Sequence, residues 1–161
     1  MKTLVLVRHG KSSWKYDLPD EERPLKGRGI KDAYLVSQAF KSTDFKPDSI
    51  YSSPANRAYS TCKIFIKNLN YSPEKVEQIG DLYDFGGNRV LSFLKSLEDN
   101  KDKVMIFGHN HAFTYLTNSL GDRYIDNLPT SGLVQIEMAI DSWAEIAKGH
   151  IVKAIFPRDL K

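Results

Sequence analysis

The chain has 161 residues, 41% of them hydrophobic and 27% charged, with a formal net charge of +3. That length suits one domain able to bury roughly two thirds of its unfolded surface, and no apolar run approaches the ~20 residues that a bilayer-spanning helix needs. A charge this small gives no argument for nucleic acid, and the one cysteine, Cys62, cannot close an internal disulfide.

The first residues carry only Lys2 ahead of an apolar run and show no small-residue cleavage pattern, so no signal peptide is expected. With a single thiol, a reducing, cytoplasmic location is the expectation. Residues 3–7 form a continuous apolar run, as in a strand covered on both faces. It ends in Arg8-His9-Gly10. Residues 10–24 are polar, contain Pro19 and Pro24 and show no period, which predicts a long loop of the kind that carries function. Residues 8–31 hold seven cations (Arg8, Lys11, Lys15, Arg23, Lys26, Arg28, Lys31) against four acids (Asp17, Asp20, Glu21, Glu22). Most of these belong to a solvated loop, with a mild positive field that aids anion capture.

From Gly29 a helix is predicted with Ile30, Ala33, Tyr34, Ser37 and Phe40 on its buried stripe, ended by Lys46-Pro47-Asp48. Ser49-Ile50-Tyr51-Ser52 reads as a strand that turns through Ser53-Pro54 into a second helix. There Ala55, Ala58, Tyr59, Cys62, Phe65, Ile66 and Leu69 keep helical spacing, Ser53 suits the N-cap, and Pro54 suits the first helical position. Cys62 lies on the apolar stripe and reads as a small core residue rather than a reactive thiol. The helix should end near Asn68 to Asn70, and residues 76–79 suit a short edge strand.

Residues 81–88 form a loop with Gly86-Gly87, followed by an amphipathic helix marked by Val90, Leu91, Leu94 and Leu97. The strand Val104-Met105-Ile106-Phe107 leads into Gly108-His109, and a helix with Phe113, Leu116 and Leu120 facing inward comes next. Residues 122–131 are irregular, and residues 133–140 and 150–156 read as an antiparallel pair. Alternating strands and helices give an α/β fold with three layers (α/β/α), a mostly parallel sheet and helices on both faces. No internal repeat, low-complexity tract or linker interrupts it.

In such sheets ligands bind beyond the carboxyl ends of the strands, where helix N-termini favour anions. His9, Arg8, His109 and Arg57, from the first turn of the second helix, converge on that edge as a phosphate site containing a nucleophile. Fixed cations stabilise the charged oxygens of a transferring phosphoryl group, and arginine adds a planar, always-charged fork. A neutral imidazole can attack phosphorus and carry it as phosphohistidine, and the flanking arginines should keep that ring neutral. The second histidine can donate a hydrogen bond to the phosphoryl oxygens. A lone histidine behind a strand is more often a structural donor, and His111 and His150 are read as structural or exposed. His9, His109 and His111 could also supply nitrogen to a metal, but two arginines beside a divalent cation would repel it, and no His-Glu motif or cysteine pair is present.

At these residues the chain resembles the histidine phosphatase superfamily, the phosphoglycerate-mutase-like enzymes. Arg8-His9-Gly10, Ser52-Ser53-Pro54 with Arg57, Gly108-His109, and Arg23-Pro24-Leu25 with Gly29 follow that family's order and spacing. Lys11-Ser12-Ser13-Trp14, Leu128-Pro129-Thr130-Ser131-Gly132 and the short length look most like the SixA group of small phosphohistidine phosphatases. Asn110 after the second histidine, where the acid-phosphatase and phytase branch has aspartate, separates the chain from that branch.

The resemblance implies a single histidine phosphatase domain over residues 1–161 with a phosphoglycerate-mutase-like fold. It makes His9 the nucleophile and Arg8, Arg57 and His109 the phosphate-binding residues, with no metal and no cofactor. It implies a phosphatase acting on phosphohistidine in a protein, with a phosphomonoesterase for a small phosphorylated metabolite as the alternative; neither nucleic acid nor membrane is an expected partner. The mutases carry asparagine shortly after the signature tryptophan, where this chain has Lys15 after Trp14. They also use a mid-chain carboxylic acid to protonate the leaving alcohol. Asp84, after Leu82-Tyr83, is the candidate for that role, or else solvates its loop. A phosphohistidine substrate relaxes the need, because imidazole leaves more readily than an alkoxide. A phosphate-binding module would have no use for an attacking imidazole, and a mutase would need more chain to enclose its intermediate.

Overall fold

A computed structural model describes residues 1–161. Six strands form one sheet: β1 (Lys2–Arg8), β2 (Ser49–Ser52), β3 (Val76–Gln78), β4 (Lys103–Gly108), β5 (Leu133–Met138) and β6 (His150–Ile155), in the order β3-β2-β4-β1-β5-β6. The first four are mutually parallel, β5 runs antiparallel to β1, and β6 runs antiparallel to β5. The helices are α1 (Gly27–Lys41), α2 (Asn56–Leu69), α3 (Asn88–Lys95) and α4 (Ala112–Leu120). This is the phosphoglycerate-mutase-like α/β architecture that the sequence led us to expect. No helix is long and apolar enough to cross a membrane.

The unbroken apolar runs of β1 and β4 follow from their central place. Leu4, Leu6, Val104 and Ile106 feed a core with Leu94 and Leu116 on one face, while Val5, Val7, Met105 and Phe107 feed one with Phe40 and Phe65 on the other. Phe65 meets Phe107 edge-on at 5.3 Å between ring centroids, a geometry worth about 1 kcal/mol beyond its buried area. Cys62 is buried in that second core, and burial pushes its thiol up to about 12. It is inert packing.

Two helices differ from the sequence reading. In α1, Ile30 and Tyr34 are 50% and 54% exposed, and Gly29, Asp32, Ala33, Val36, Ser37 and Phe40 form the buried face instead. The phase is set by backbone proximity. A Cβ on Gly29 would lie 2.3 Å from the Lys11 carbonyl oxygen, so the helix must turn this residue toward the loop. Asp32 then comes inside, paired with Arg28 at 3.6 Å and Lys161 at 3.0 Å. In α2 the helix begins at Asn56, with Ala55 at the cap position. Ser53 lies one turn earlier and accepts the Ala55 N–H at 3.2 Å, and Tyr59 is only half-buried. Asn70 closes the helix in the left-handed conformation.

The loop after β1 is pinned, despite its length. Ser12 bridges to Leu25, the Ser13 N–H reaches the Pro24 carbonyl, and the Lys26 N–H reaches the Lys11 carbonyl, both at 2.8 Å. Its tip, Asp20–Glu22, is a 3₁₀ turn.

Candidate active site

Arg8 pairs with Gly108 in the parallel register of β1 and β4, so His9 and His109 leave the sheet side by side. The His9 N–H extends the ladder by one bond, to the Gly108 carbonyl at 3.0 Å. The two rings stand 5.3 Å apart at 53°. Strand β2 ends level with them: Ser53 N–H reaches the Phe107 carbonyl at 2.9 Å, and Arg57 follows in the first turn of α2. Adjacent strand ends thus bring together Arg8, His9, Arg57 and His109 from separate parts of the chain.

Each side chain has a defined posture. His9 Nδ1 lies 2.7 Å from the Gly10 carbonyl, which can only accept, so that nitrogen carries the proton and Nε2 keeps its lone pair. Gly10 is fixed in turn: its N–H reaches Thr61 Oγ1 at 2.9 Å, and a Cβ there would meet the Gly29 carbonyl at 2.9 Å. His109 Nε2 lies 2.8 Å from Ser53 Oγ. Arg8 Nη1 donates to the Leu128 carbonyl at 2.8 Å. Arg57 donates through Nη1 to the Asp20 carbonyl at 2.7 Å and through Nη2 to its carboxylate at 2.9 Å.

Both imidazoles are held neutral. Burial brings His9 down to about 3, with Arg57, Arg8 and Arg23 adding to the effect against the opposing Gly10 hydrogen bond. The arginines therefore act in the expected direction, but burial is the larger cause. Burial likewise brings His109 to about 2, helped by His9 and Arg57. Arg8 is lowered by burial and by Arg57. Of the two guanidinium groups, Arg57 is paired with the Asp20 carboxylate, whereas Arg8 makes its side-chain hydrogen bond to a backbone carbonyl.

Five buried polar side-chain atoms lack a partner, and four belong to this edge: Arg8 Nε, Arg57 Nε, His109 Nδ1 and Ser131 Oγ. A buried donor left unsatisfied costs roughly 1–3 kcal/mol, so a cluster of them marks a place kept for an acceptor. Ser131 lies beneath the signature, its N–H shared between the Arg8 and His9 carbonyls at 3.1 Å each, its φ +61°.

Asp84 makes its hydrogen bonds within its own loop and the start of α3. Its carboxylate accepts the N–H groups of Gly86, Gly87, Arg89 and Val90 at 3.0–3.2 Å, which caps α3. No hydrogen bond or ion pair links it to either histidine or to Arg8 or Arg57, although its neighbours Tyr83 and Phe85 both pack on the His109 ring. His111 is exposed at the start of α4, and His150 is exposed and paired with Asp122 at 2.8 Å. No three of the chain's His, Cys, Asp and Glu side chains are grouped so that they could hold a metal ion.

The sequence reading missed Asp20 and Tyr83. Asp20 binds Arg57 and Arg23, and Tyr83 donates to its carboxylate at 2.7 Å. Burial works against ionisation here, but the hydrogen bonds from Tyr83 and Arg57 outweigh it and hold Asp20 at about 2. Arg23 also donates to Ser12 Oγ at 2.9 Å and lies 3.5 Å over the Trp14 ring. Tyr83 and Phe85 pack at 5.2 and 5.3 Å from the His109 ring. The Arg23-Pro24-Leu25 and Lys11-Ser12-Ser13-Trp14 motifs are the sequence signals toward this rim.

Residues 4–86 match the family model of the histidine phosphatase superfamily (branch 1). The chain belongs to that superfamily. It is 24% identical over 153 residues to an uncharacterized protein of Mycobacterium tuberculosis, covering 89% of this chain and 93% of the relative. It is 35% identical over 86 residues to a phosphoglycerate mutase of Schizosaccharomyces pombe, covering 50% of this chain and 41% of the mutase. Among solved structures, the protein histidine phosphatase SixA complexed with tungstate shares the fold at a TM-score of 0.82, with 22% identity and 99% of each chain covered. The superfamily joins phosphatases and mutases, so the convergent edge of this member is its candidate active site.

Proposed function

We propose that this histidine phosphatase superfamily member is a phosphatase whose preferred substrate is phosphohistidine in a protein. The observation that carries the chemistry is the pair of neutral imidazoles flanked by Arg8 and Arg57, with one open lone pair on His9 and unpartnered donors around it. His9 Nε2 attacks phosphorus, the bond from phosphorus to the leaving nitrogen breaks, and that nitrogen keeps the electron pair and takes a proton. Water then attacks phospho-His9, the P–Nε2 bond breaks, and phosphate leaves with His9 restored. Arg8, Arg57 and His109 hold the charged oxygens throughout.

The choice of phosphohistidine rests on the carboxylates and on the rim. Asp84 is engaged as a helix cap, and Asp20 is held ionised, so neither is a ready acid for an alkoxide. An imidazole leaving group needs less help. Trp14, Tyr16, Leu18 and Phe85 are exposed on the loops flanking the site, and the cavities of about 350–450 Å³ elsewhere on the chain are not lined by His9 or His109. An open, partly aromatic rim suits a phosphorylated side chain on a protein surface. The SixA structure at a TM-score of 0.82 and the tungstate named with it agree with an oxyanion site on this fold. The second reading, a phosphomonoesterase for a small metabolite, draws on the 35% identity to a mutase over 86 residues.

Turnover measured in parallel on a phosphohistidine peptide, a sugar phosphate and an aryl phosphate tests the choice. The expected order places the phosphohistidine peptide first and the aryl ester, with its easy leaving group, ahead of the sugar phosphate. Preference for the sugar phosphate would replace this reading with the second.

A further inference from the structure

His109 and Ser53 form the one side-chain pair at this edge in which two neutral groups that can each donate and accept meet in a fully buried place. Which of them donates decides what His109 offers a ligand. Ser53 Oγ has two partners: the Ala55 N–H at 3.2 Å, which can only donate, and His109 Nε2 at 2.8 Å. The serine hydroxyl carries one proton, and the Ala55 N–H cannot receive it. The only acceptor within reach is His109 Nε2. If Nε2 were instead protonated and donated to Ser53, the serine oxygen would accept twice and its own proton would be stranded in a buried site.

The other nitrogen supports the same arrangement. His109 Nδ1 is buried with no partner. A lone pair there would repel an oxyanion bound among the arginines and histidines, whereas an N–H would complement it. Ser53 is well held for the task. Its N–H is tied to the Phe107 carbonyl at 2.9 Å, two residues before His109 on β4, and its carbonyl accepts the Ser52 hydroxyl at 2.9 Å.

We propose that Ser53 is a positioning residue that donates its hydroxyl proton to His109 Nε2, fixes the Nδ1–H tautomer of that ring, and so makes His109 a hydrogen-bond donor to the bound oxyanion. Burial keeps the ring neutral, at about 2, so the tautomer is a real choice at working pH. The inference rests on the proposed oxyanion site but is independent of which phosphorylated substrate is preferred.

The test is a long-range proton–nitrogen correlation spectrum of the full chain with labelled histidine, recorded without substrate at pH 7. Wild type should show His109 as the neutral Nδ1–H form, with Nε2 as a hydrogen-bonded acceptor. Ser53→Ala should move His109 toward the Nε2–H form while His9 keeps its own pattern. The same variant should lose about tenfold or more in kcat/KM on an aryl phosphate and bind tungstate correspondingly more weakly. Ser53→Thr, which retains the hydroxyl, should restore the tautomer and most of the activity. If Ser53→Ala does not fold, the wild-type and Ser53→Thr spectra still decide. A wild-type Nε2–H form, or an unchanged tautomer in folded Ser53→Ala, overturns the inference. Absence of turnover on the phosphohistidine peptide alongside the expected tautomer would instead sink only the substrate reading.

Discussion

At the end of β1, His9 spends its Nδ1 proton on the Gly10 carbonyl and keeps Nε2 open; one strand away, at the end of β4, His109 engages Nε2 with Ser53 and keeps Nδ1 open. The two strand ends are otherwise close counterparts. Both rings follow apolar parallel strands, both are buried, and both are held neutral by that burial. A carbonyl neighbour leaves a lone pair facing the site; a hydroxyl neighbour, on the tautomer proposed above, leaves a donor. On the proposed reading, the role of each histidine follows from the one hydrogen bond its ring makes.

The largest test of this contrast is His9→Ala. On the proposed reading it should lower kcat by about 10⁴-fold or more, since no other group can form the covalent intermediate. Comparable residual activity in His9→Ala and His109→Ala would erase the distinction between the two ends. Next come the arginines: Arg8→Ala and Arg57→Ala should each weaken transition-state stabilisation by about 3 kcal/mol, read as kcat/KM, with lysine rescuing only in part. Near-wild-type kinetics in both alanine variants would remove the phosphate pocket.

A pH series tests the neutrality of the two rings. An unfolded histidine titrates near ~6.5, against about 3 for His9 and about 2 for His109 in the fold. The unfolded chain therefore binds more protons through this window, and stability should fall as pH drops from ~6.5 toward about 3. Denaturant midpoints for wild type and His109→Gln should show a flatter acid slope in the variant. The kcat/KM profile should lack an acid limb near pH 6.5, since His9 stays neutral well below it. A limb there that His9's neighbours do not move would mean a solvated, ordinary imidazole. The smallest effect is expected at Asp84: Asp84→Asn should cost less than about tenfold in kcat/KM on a phosphohistidine peptide, and Asp84→Ala should lose about 1 kcal/mol of stability through the uncapped α3.

Much of this arrangement is legible in the sequence. Residues 4–7 and 104–107 are apolar on every side chain because both faces of a central strand are covered, and that alone places Arg8, His9 and His109 at one edge. The stripe on α2 fixed the approach of Arg57. What escaped depended on contacts between distant segments. Asp20 meets Tyr83 across 63 residues with no periodic signal in either loop. The face of α1 is chosen by how closely Gly29 approaches Lys11, which outweighs the apolar character of Ile30 and Tyr34. That the Asp84 carboxylate accepts N–H groups at the N-terminus of α3 has no periodic signal in its loop either. Ser53 suited a helix cap by its position, yet its hydroxyl reaches His109, 56 residues on.

The central claim is that the open lone pair on His9 becomes the bond to phosphorus. Rapid acid-free quenching during turnover of a phosphohistidine peptide, followed by peptide mapping under alkaline conditions, reads it directly. The account predicts an acid-labile, base-stable phosphoryl label on the peptide containing His9, absent from His9→Ala. A label trapped on His109 or on any other residue of the wild-type chain, or turnover that persists in His9→Ala, would contradict it.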